Sequence, residues 1–271
     1  GYDFTEYRPQ TGDTLSIPQE LVDPIWVDPR GRIWTGFPDR VAVYDRELDG
    51  FRSYKFSPAT SKVPDAIFFE NSDVVWLSIP EKGLIRLDIS NRSSSNHLNT
   101  SGDKGRFLKT NTVRDIKSIG EDLLLATSNG LWIFDRHTNT FNRPTCDPSD
   151  SALFFNGDVQ KIISRPDHYW IWLDHQLVKC DRRFIVIQSL DLNIIKQRFD
   201  LANGFDGPVV QSIQEDKRGQ FWIGTQGLGL VVFDPVKNQL SNFRNDRNDP
   251  ESLPSDVLND IMIDNNNNVW L

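Results

Sequence analysis

Apolar side chains occur along this chain in short runs, and most of these runs end at Gly, Asn, Asp or Pro. The segment Trp26–Gly36 shows the pattern clearly, with an apolar stretch, a polar turn and a second apolar stretch around Trp34. Similar segments return at Ile213–Thr225 and Ile261–Leu271. Short apolar runs separated by turn residues predict β-strands joined in hairpins.

Weaker copies of the same segment fill the gaps, at Ile67–Leu77, Ile116–Thr127 and Ile162–Leu173. Equivalent positions then recur about every 47 residues, within the range of four-stranded propeller blades. These positions are Trp34, Trp76, Leu124, Trp172, Trp222 and Trp270. After each of the first five comes a third strand ending in Asp and then a short fourth strand, so each period predicts one antiparallel meander.

Both faces of such a meander are apolar, because neighbouring residues such as Ile33 and Trp34 point to opposite sides of a strand. Blades stacked about an axis cover both faces, whereas an isolated sheet would leave one in water. The sequence therefore predicts an all-β fold, a β-propeller of four-stranded antiparallel blades, with a solenoid as the alternative. The periodic tryptophans are predicted to pack between blades.

We predict a single partial propeller over residues 1–271, with about five complete blades. The chain begins and ends within blades, so we expect a fragment of a larger propeller whose open edges associate with each other or with a neighbouring molecule. The predicted boundaries are an orphan outer strand at 1–8, blades at 20–56, 63–109, 112–143, 158–189 and 208–244, and a partial blade at 256–271.

The repeat resembles the two-component regulator propeller repeat, whose pattern is roughly V-x-x-I-x-x-D-x-x-G-x-L-W-I-G-T-x-x-G-L followed by F-D. The fifth blade matches this pattern most completely, at Val210, Ile213, Asp216, Gly219, Phe221–Thr225, Gly229, Leu230, Phe233 and Asp234. The resemblance implies an input domain of a bacterial receptor, typically periplasmic, of the hybrid two-component or diguanylate cyclase type. It also implies that the kinase or cyclase module and the membrane segment lie outside these residues.

Charge and cysteine usage restrict the partners. The formal net charge of −8 opposes binding to nucleic acid, whose affinity for proteins depends largely on phosphate neutralisation by Lys and Arg. No run of apolar residues is long enough for a membrane helix. Cys146 and Cys180 lie in different repeats, which leaves two free thiols or one disulfide open.

No pattern of catalytic or metal-binding residues stands out. The glycines at Gly224, Gly227 and Gly229 are flanked by predicted strands, whereas a phosphate loop must lead into a helix. The Asn run after Asp264 lacks the distal acid of a calcium loop and is predicted to be a turn. We predict no catalytic residue, no metal and no cofactor.

Loops that connect blades, and those between second and third strands, are the predicted ligand face, because binding residues concentrate on loops. The resemblance to the two-component regulator propellers implies a carbohydrate or other small molecule as the ligand at this face. The alternatives are a protein-interaction or dimerisation scaffold without a small ligand, and a propeller lyase or hydrolase. The candidate ligand contacts are Phe37, Asp39, Arg40, Phe155, Asn156, His175 and Asp206.

Overall fold

The computed structural model describes residues 5–80, 82–97, 112–147, 151–199 and 210–271. Within them the chain forms five four-stranded antiparallel sheets and one two-stranded sheet, which we call blades 1 to 6 in chain order. In every four-stranded sheet the strands are hydrogen-bonded in the order in which they occur in the chain. This is the predicted repeat of antiparallel meanders.

The strands of blades 1 to 3 are β1 Ile25–Val27, β2 Ile33–Phe37, β3 Arg40–Asp45, β4 Gly50–Lys55, β5 Ala66–Phe69, β6 Val74–Ile79, β7 Gly83–Asp88, β8 Ser93–His97, β9 Val113–Ile119, β10 Asp122–Thr127, β11 Gly130–Asp135 and β12 Thr140–Asn142. Blade 4 contains β13 Val159–Ser164, β14 His168–Leu173, β15 Gln176–Asp181 and β16 Val186–Asp191. Blade 5 contains β17 Val210–Glu215, β18 Phe221–Thr225, β19 Leu230–Asp234 and β20 Gln239–Phe243, and blade 6 contains β21 Met262–Ile263 and β22 Val269–Trp270.

The chain divides into two compact units, Gly1–Asp174 with Val178–Gln188, and His175–Leu177 with Ser189–Leu271. In the first unit, apolar clusters join consecutive blades in pairs, through Trp34 and Leu77, Trp76 and Phe134, and Leu124 and Tyr169. The first strand of blade 3, β9, contacts both β5 and β13. The first strands of blades 2, 3 and 4 are therefore neighbours, as expected of the inner strands of a propeller.

In the second unit, blade 5 packs on blade 6 in the same way. Leu230 of blade 5 is buried with Leu258 and Ile261, and the half-buried Trp222 lies against this cluster. The first strands β17 and β21 are again in contact. The repeat tryptophan thus faces the following blade in both units.

A carboxylate in the turn between first and second strands explains why Asp and Trp recur six residues apart. One oxygen of Asp28 accepts hydrogen bonds from the backbone N–H groups of Arg30 and Arg32, both at 2.9 Å. The other accepts the indole N–H of Trp34 at 3.1 Å. The same bond joins Asp216 to Trp222 and Asp264 to Trp270, at 3.2 Å in both cases.

The third residue after each of these aspartates has a positive φ, which explains the Gly or Asn there: 75° at Gly31, 78° at Gly219 and 65° at Asn267. Desolvation favours a higher pKa for Asp28 and Asp216, but hydrogen bonds to the carboxylate outweigh it and the pKa is lowered. The acidic turn residues are therefore structural.

A second turn motif follows each third strand. The carboxylate that ends the strand accepts backbone N–H groups two and three residues ahead, or two and four ahead in blade 4. The five residues are Asp45, Asp88, Asp135, Asp181 and Asp234. The acidic residue at the end of each of these five strands therefore stabilises the turn that follows it.

Two connections that the sequence predicts as loops contain short helices, α1 Ser151–Asn156 and α2 Asn193–Phe199. Each helix inserts one apolar side chain into a core, Phe154 and Ile195 respectively, and both side chains are fully buried. No helix in the described part of the chain is long and apolar enough to cross a membrane.

The repeat position in blade 4 differs from the one predicted from the sequence. Trp170, not Trp172, occupies the repeat position, because it lies three residues before the end of its strand, as Trp34 does before Phe37. Trp170 is 2% exposed, whereas Trp172 is half-buried and donates its indole N–H to the Asp174 carbonyl at 3.1 Å.

The predicted outer strand at residues 1–8 has no counterpart in the described residues 5–8, which form no strand. Tyr7 instead packs edge-on against Tyr44 and Phe51 of blade 1, with ring centroids 5.5 and 5.4 Å away. Residues 1–4 lie outside the described part of the chain.

Candidate functional site

The connections predicted to form a ligand face meet in the first unit. The turn between β2 and β3 is bonded to the connection after blade 1, where the Thr60 N–H donates to the Pro38 carbonyl at 3.1 Å. The turn between β10 and β11 is bonded to the connection after blade 3, where the Gly130 N–H donates to the Gly157 carbonyl at 2.7 Å. These bonds place the two kinds of loop side by side.

Blade 1 contributes Phe37, Asp39 and Arg40 to the predicted contacts. Phe37 is 1% exposed and packs with Ile17, Ala42 and other apolar residues, so its ring is a packing element and not an open platform. Arg40 donates to Asp39 through Nε at 2.8 Å and Nη2 at 2.7 Å. This fork lowers the pKa of Asp39 and satisfies much of the polarity of both groups.

The other predicted contacts lie elsewhere. Asn156 ends α1 and is exposed, and His175 is exposed in the turn between β14 and β15. Phe155 belongs to α1, but its side chain and all of Asp206 lie outside the described parts of the structure. Asn156 shares no described hydrogen bond with Asp39 or Arg40, so these residues do not form a common polar network. Ligand contact by any of them stays a prediction.

The structure instead brings together a polar group that we call the Arg114 cluster, formed by Arg114, Asp158, Gln160 and Asp174. Arg114 donates to both carboxylate oxygens of Asp158, from Nε at 2.9 Å and from Nη2 at 3.0 Å. Gln160 donates Nε2–H to the same carboxylate at 3.1 Å. The Asp158 N–H in turn donates to a carboxylate oxygen of Asp174 at 3.3 Å.

The backbone determines this arrangement. In β9 the buried Val113 and Ile116 fix the register, and Arg114 projects from the start of the strand. Asp158 directly precedes β13 and Asp174 directly follows β14, and the Asp174 N–H donates to the Asp158 carbonyl at 2.8 Å. The first strands of blades 3 and 4 are neighbours, so the cluster crosses the boundary between these two blades.

Asp65 extends the cluster electrostatically toward blade 2. Desolvation raises the pKa of Asp65, and the positive charges of Arg114 and Lys62 act in the opposite direction. The side chains of Arg114 and Asp158 are 36% and 30% exposed, so their polar heads are still accessible. The site therefore offers fixed acceptors and donors at a solvent boundary.

The chemistry available is recognition of groups that both donate and accept hydrogen bonds. Carboxylates accept, an amide does both and a guanidinium donates in a fixed plane. Among the described residues no group of three or more His, Cys, Asp or Glu side chains is arranged to hold a metal ion. The sequence predicts the loops at Asp158 and Asp174 as part of the ligand face but does not indicate Arg114, because Asp158, which Arg114 contacts, is 44 residues away.

Comparison with known proteins supports the architecture. Residues 204–227 match the family described as two component regulator propeller. No curated protein sequence matches the chain. Solved structures that resemble the chain over most of its length include the following three.

The first is the extracellular domain of a protein described as hybrid two component system BT3049 from B. thetaiotaomicron, with 17% identity and a TM-score of 0.61. The second is the extracellular domain of a protein described as one component system BT4673 from the same organism, with 18% identity and a TM-score of 0.58. These matches cover 98% and 95% of this chain but only 40% and 38% of the related chains, respectively.

The third is the beta-propeller domain of Cps50 (Swd1) from Myceliophteria thermophila, with 13% identity and a TM-score of 0.55. That match covers 84% of this chain and 74% of the other. At such identities the likeness concerns the fold. The chain is therefore a β-propeller that contains, at residues 204–227, a match to the two component regulator propeller.

Proposed function

We propose that this chain is an extracytoplasmic, ligand-sensing propeller of a bacterial signal-transduction receptor, with a carbohydrate as its ligand. The main structural support is the Arg114 cluster, an array of polar side chains held in place by hydrogen bonds at the loops of the first unit. The fold match to extracellular domains of one component and hybrid two component systems supports the extracytoplasmic setting.

The cluster suits sugar hydroxyls because its groups are already oriented. A guanidinium held by both oxygens of one carboxylate loses little freedom when a ligand arrives, and this saves part of the entropic cost of binding. Each sugar hydroxyl offers one donor and two acceptor lone pairs. The accessible carboxylates of Asp158 and Asp174 can accept from such hydroxyls, while Gln160 can donate to them.

In this proposal the chain binds but does not catalyse. In the turns between first and second strands, the carboxylates of Asp28 and Asp216 already accept hydrogen bonds from backbone N–H groups and from an indole N–H. Those after the third strands are occupied in the same way by backbone donors. Signal output would then come from a module outside these residues.

The test is thermal unfolding of the chain against a panel of neutral and acidic oligosaccharides. A ligand at 100 times its Kd adds about 2.7 kcal/mol of stability to a protein that binds it only when folded. For a domain of this size that corresponds to a rise in Tm of about 5–10 °C. The Arg114→Ala variant should lose the rise for any stabilising sugar.

Arg183→Ala is the matched control, because Arg183 is exposed in the turn after β15 and outside the cluster. This variant should keep the full rise in Tm. If no sugar in the panel stabilises the chain, or if Arg114→Ala keeps the same rise as the parent, the proposed carbohydrate site is wrong.

A second candidate function is a self-associating scaffold. Ile185 and Ile187, beside and within the outer strand β16, are 46% and 59% exposed, and outer strands present unpaired backbone groups. In that case light scattering should show a dimer that Ile187→Lys converts to a monomer. A monomer at all concentrations would exclude this function and leave the sensing proposal untouched.

A further inference from the structure

Two adjoining concavities lie along the outer strand β4 of blade 1, with volumes of about 870 and 520 Å³. Both are lined by Arg52 and Tyr54, so they adjoin along this strand and make up one extended surface. We call it the basic groove. Its cationic side chains are Arg30, Arg32, Arg40, Arg46, Arg52, Lys55 and Arg92.

The charge of the basic groove is opposite to that of the protein. Seven cationic side chains line it, against the lining carboxylates of Asp13, Asp45 and Glu47 and those of Asp28 and Asp39, which pair with Arg32 and Arg40. The groove is still net positive, whereas the whole chain has a formal net charge of −8. A concave surface lined mainly by one sign of charge focuses the field and attracts ions of the other sign. The groove therefore favours an anionic partner.

Several of these cations are available to a partner. Arg32, Arg40 and Arg52 form ion pairs with aspartates behind or beside the groove, at 2.6 to 2.7 Å. The remaining cations form no ion pair with any residue that the structure describes, and all are exposed: Arg30, Arg46, Lys55 and Arg92. Binding an anion would bring a directly paired counter-ion to these four exposed charges.

One wall of the groove is the segment before blade 1, and it is firmly held. Tyr7 donates its hydroxyl to Asp49 at 2.5 Å, and the Phe51 N–H donates to the Leu15 carbonyl at 2.7 Å. Gly50 permits this close approach, because a Cβ there would lie 2.9 Å from the Leu15 oxygen. The groove is thus preformed, which lowers the cost of binding.

The Leu15–Phe51 bond also restricts the kind of partner. It occupies the free edge of β4 at the start of the strand, so an added peptide strand could not pair along its full length. A ligand that uses charge and ring contacts has no such requirement. The half-buried rings of Tyr44 and Tyr54 lie among the cations, Tyr54 stacked on Trp34 and Tyr44 packed against Tyr7 and Phe51. The exposed part of each ring adds apolar surface beside the charges.

We propose that the basic groove binds an anionic polysaccharide, a chain with carboxylate or sulfate groups on successive sugar units. Its two lobes would hold separate anionic groups of one linear ligand. The groove is formed by blade 1 and the segment before it, with Arg92 from blade 2, and the Arg114 cluster is on blades 3 and 4. This proposal therefore goes beyond the sensing site and does not depend on it.

The experiment measures binding of the 271-residue chain to dextran sulfate, polygalacturonate, poly-L-glutamate and neutral dextran over a range of salt concentrations. We expect binding to one or both anionic polysaccharides, weakening as salt screens the charges, and none to neutral dextran. Lys55→Glu with Arg92→Glu should weaken that binding about tenfold or more, because two attractions become repulsions. The sulfate and carboxylate arms identify which anion is preferred.

Arg183→Glu with Arg247→Glu is the control, since it changes the net charge equally at two exposed positions outside the groove. It should keep most of the affinity. Equal binding to poly-L-glutamate, equal losses in the two double variants, or no anionic binding at all would overturn the proposal. None of these results bears on the sugar-dependent Tm rise at Arg114.

Discussion

Asp28 is the residue whose removal tests the turn motif most sharply. Its side chain is 2% exposed and accepts four hydrogen bonds: from the backbone of Arg30 and Arg32, from Arg32 Nε at 2.6 Å and from the Trp34 indole at 3.1 Å. Asp28→Ala leaves all four donors without this acceptor. The turn itself stays exposed, so water can replace some of the bonds but not all of them.

The expected cost follows from the burial of each donor. Trp34 is fully buried, so its N–H is left unpaired, which costs about 1–3 kcal/mol. Loss of the turn bonds resembles loss of a helix cap, about 1 kcal/mol, because the exposed backbone can rebind water. The Arg32 pair is partly exposed and adds little. The total is about 2–4 kcal/mol, or a drop in Tm of roughly 5–15 °C.

Thermal unfolding followed by circular dichroism at pH 7 measures this drop. Asp264→Ala is the matched control, since Asp264 makes the same turn bonds while its partner Trp270 is 57% exposed and can bond to water. Trp34→Phe removes the buried donor, so Asp28→Ala should cost less in that background. A drop of less than about 2 °C for Asp28→Ala, or equal drops for Asp28→Ala and Asp264→Ala, would show that the buried indole bond does not stabilise the turn.

Three further predictions concern other parts of the fold. Gly229→Ala should lower the free energy of unfolding by more than about 3 kcal/mol, because φ is +69° and the new Cβ would overlap the Phe243 carbonyl. Gly12→Ala, at φ +87° in open space, should lower it by only about 1–2 kcal/mol. Urea unfolding measures both values, and equal losses would contradict the overlap. Trp170→Ala should lower the free energy of unfolding by about 3–5 kcal/mol, and Trp172→Ala by less than half of that, because Trp170 is the buried tryptophan of blade 4. The reverse order in the same assay would contradict the register described for blade 4. Hydrogen bonds lower the pKa values of most turn aspartates, to about 2 for Asp264 in the last blade. The ionised carboxylates therefore stabilise the fold above pH 4, and this stabilisation is lost as the pH falls from about 4 toward 2. Tm values that do not fall over this pH range would contradict the prediction.

The repeat could be predicted from sequence because its determinants are local. The carboxylate and the indole of each Asp–Trp pair lie six residues apart, and a residue with positive φ lies between them, so one short pattern specifies a whole hairpin. Blade 4 lacks this Asp and has two tryptophans on the same side of β14. Without the local pair to fix the register, spacing alone selected Trp172 instead of Trp170.

The candidate site could be predicted only in part, because its bonds are not local. Alternation of buried and exposed residues marks Arg114 as an outward residue of a strand, but nothing near it in sequence indicates Asp158. The turn position of Phe37 predicts an accessible ring, but the ring is buried in a cluster that includes Ile17, from a segment with no strand pattern. Long-range packing decides both cases.

The most direct test of the account is a glycan array probed with the parent chain and with Arg114→Ala side by side. We predict a defined set of glycans bound by the parent and lost in the variant, while Arg183→Ala binds the same set as the parent. An array on which the parent binds no glycan, or on which Arg114→Ala binds as the parent does, would contradict the claim that this propeller senses a carbohydrate through the Arg114 cluster.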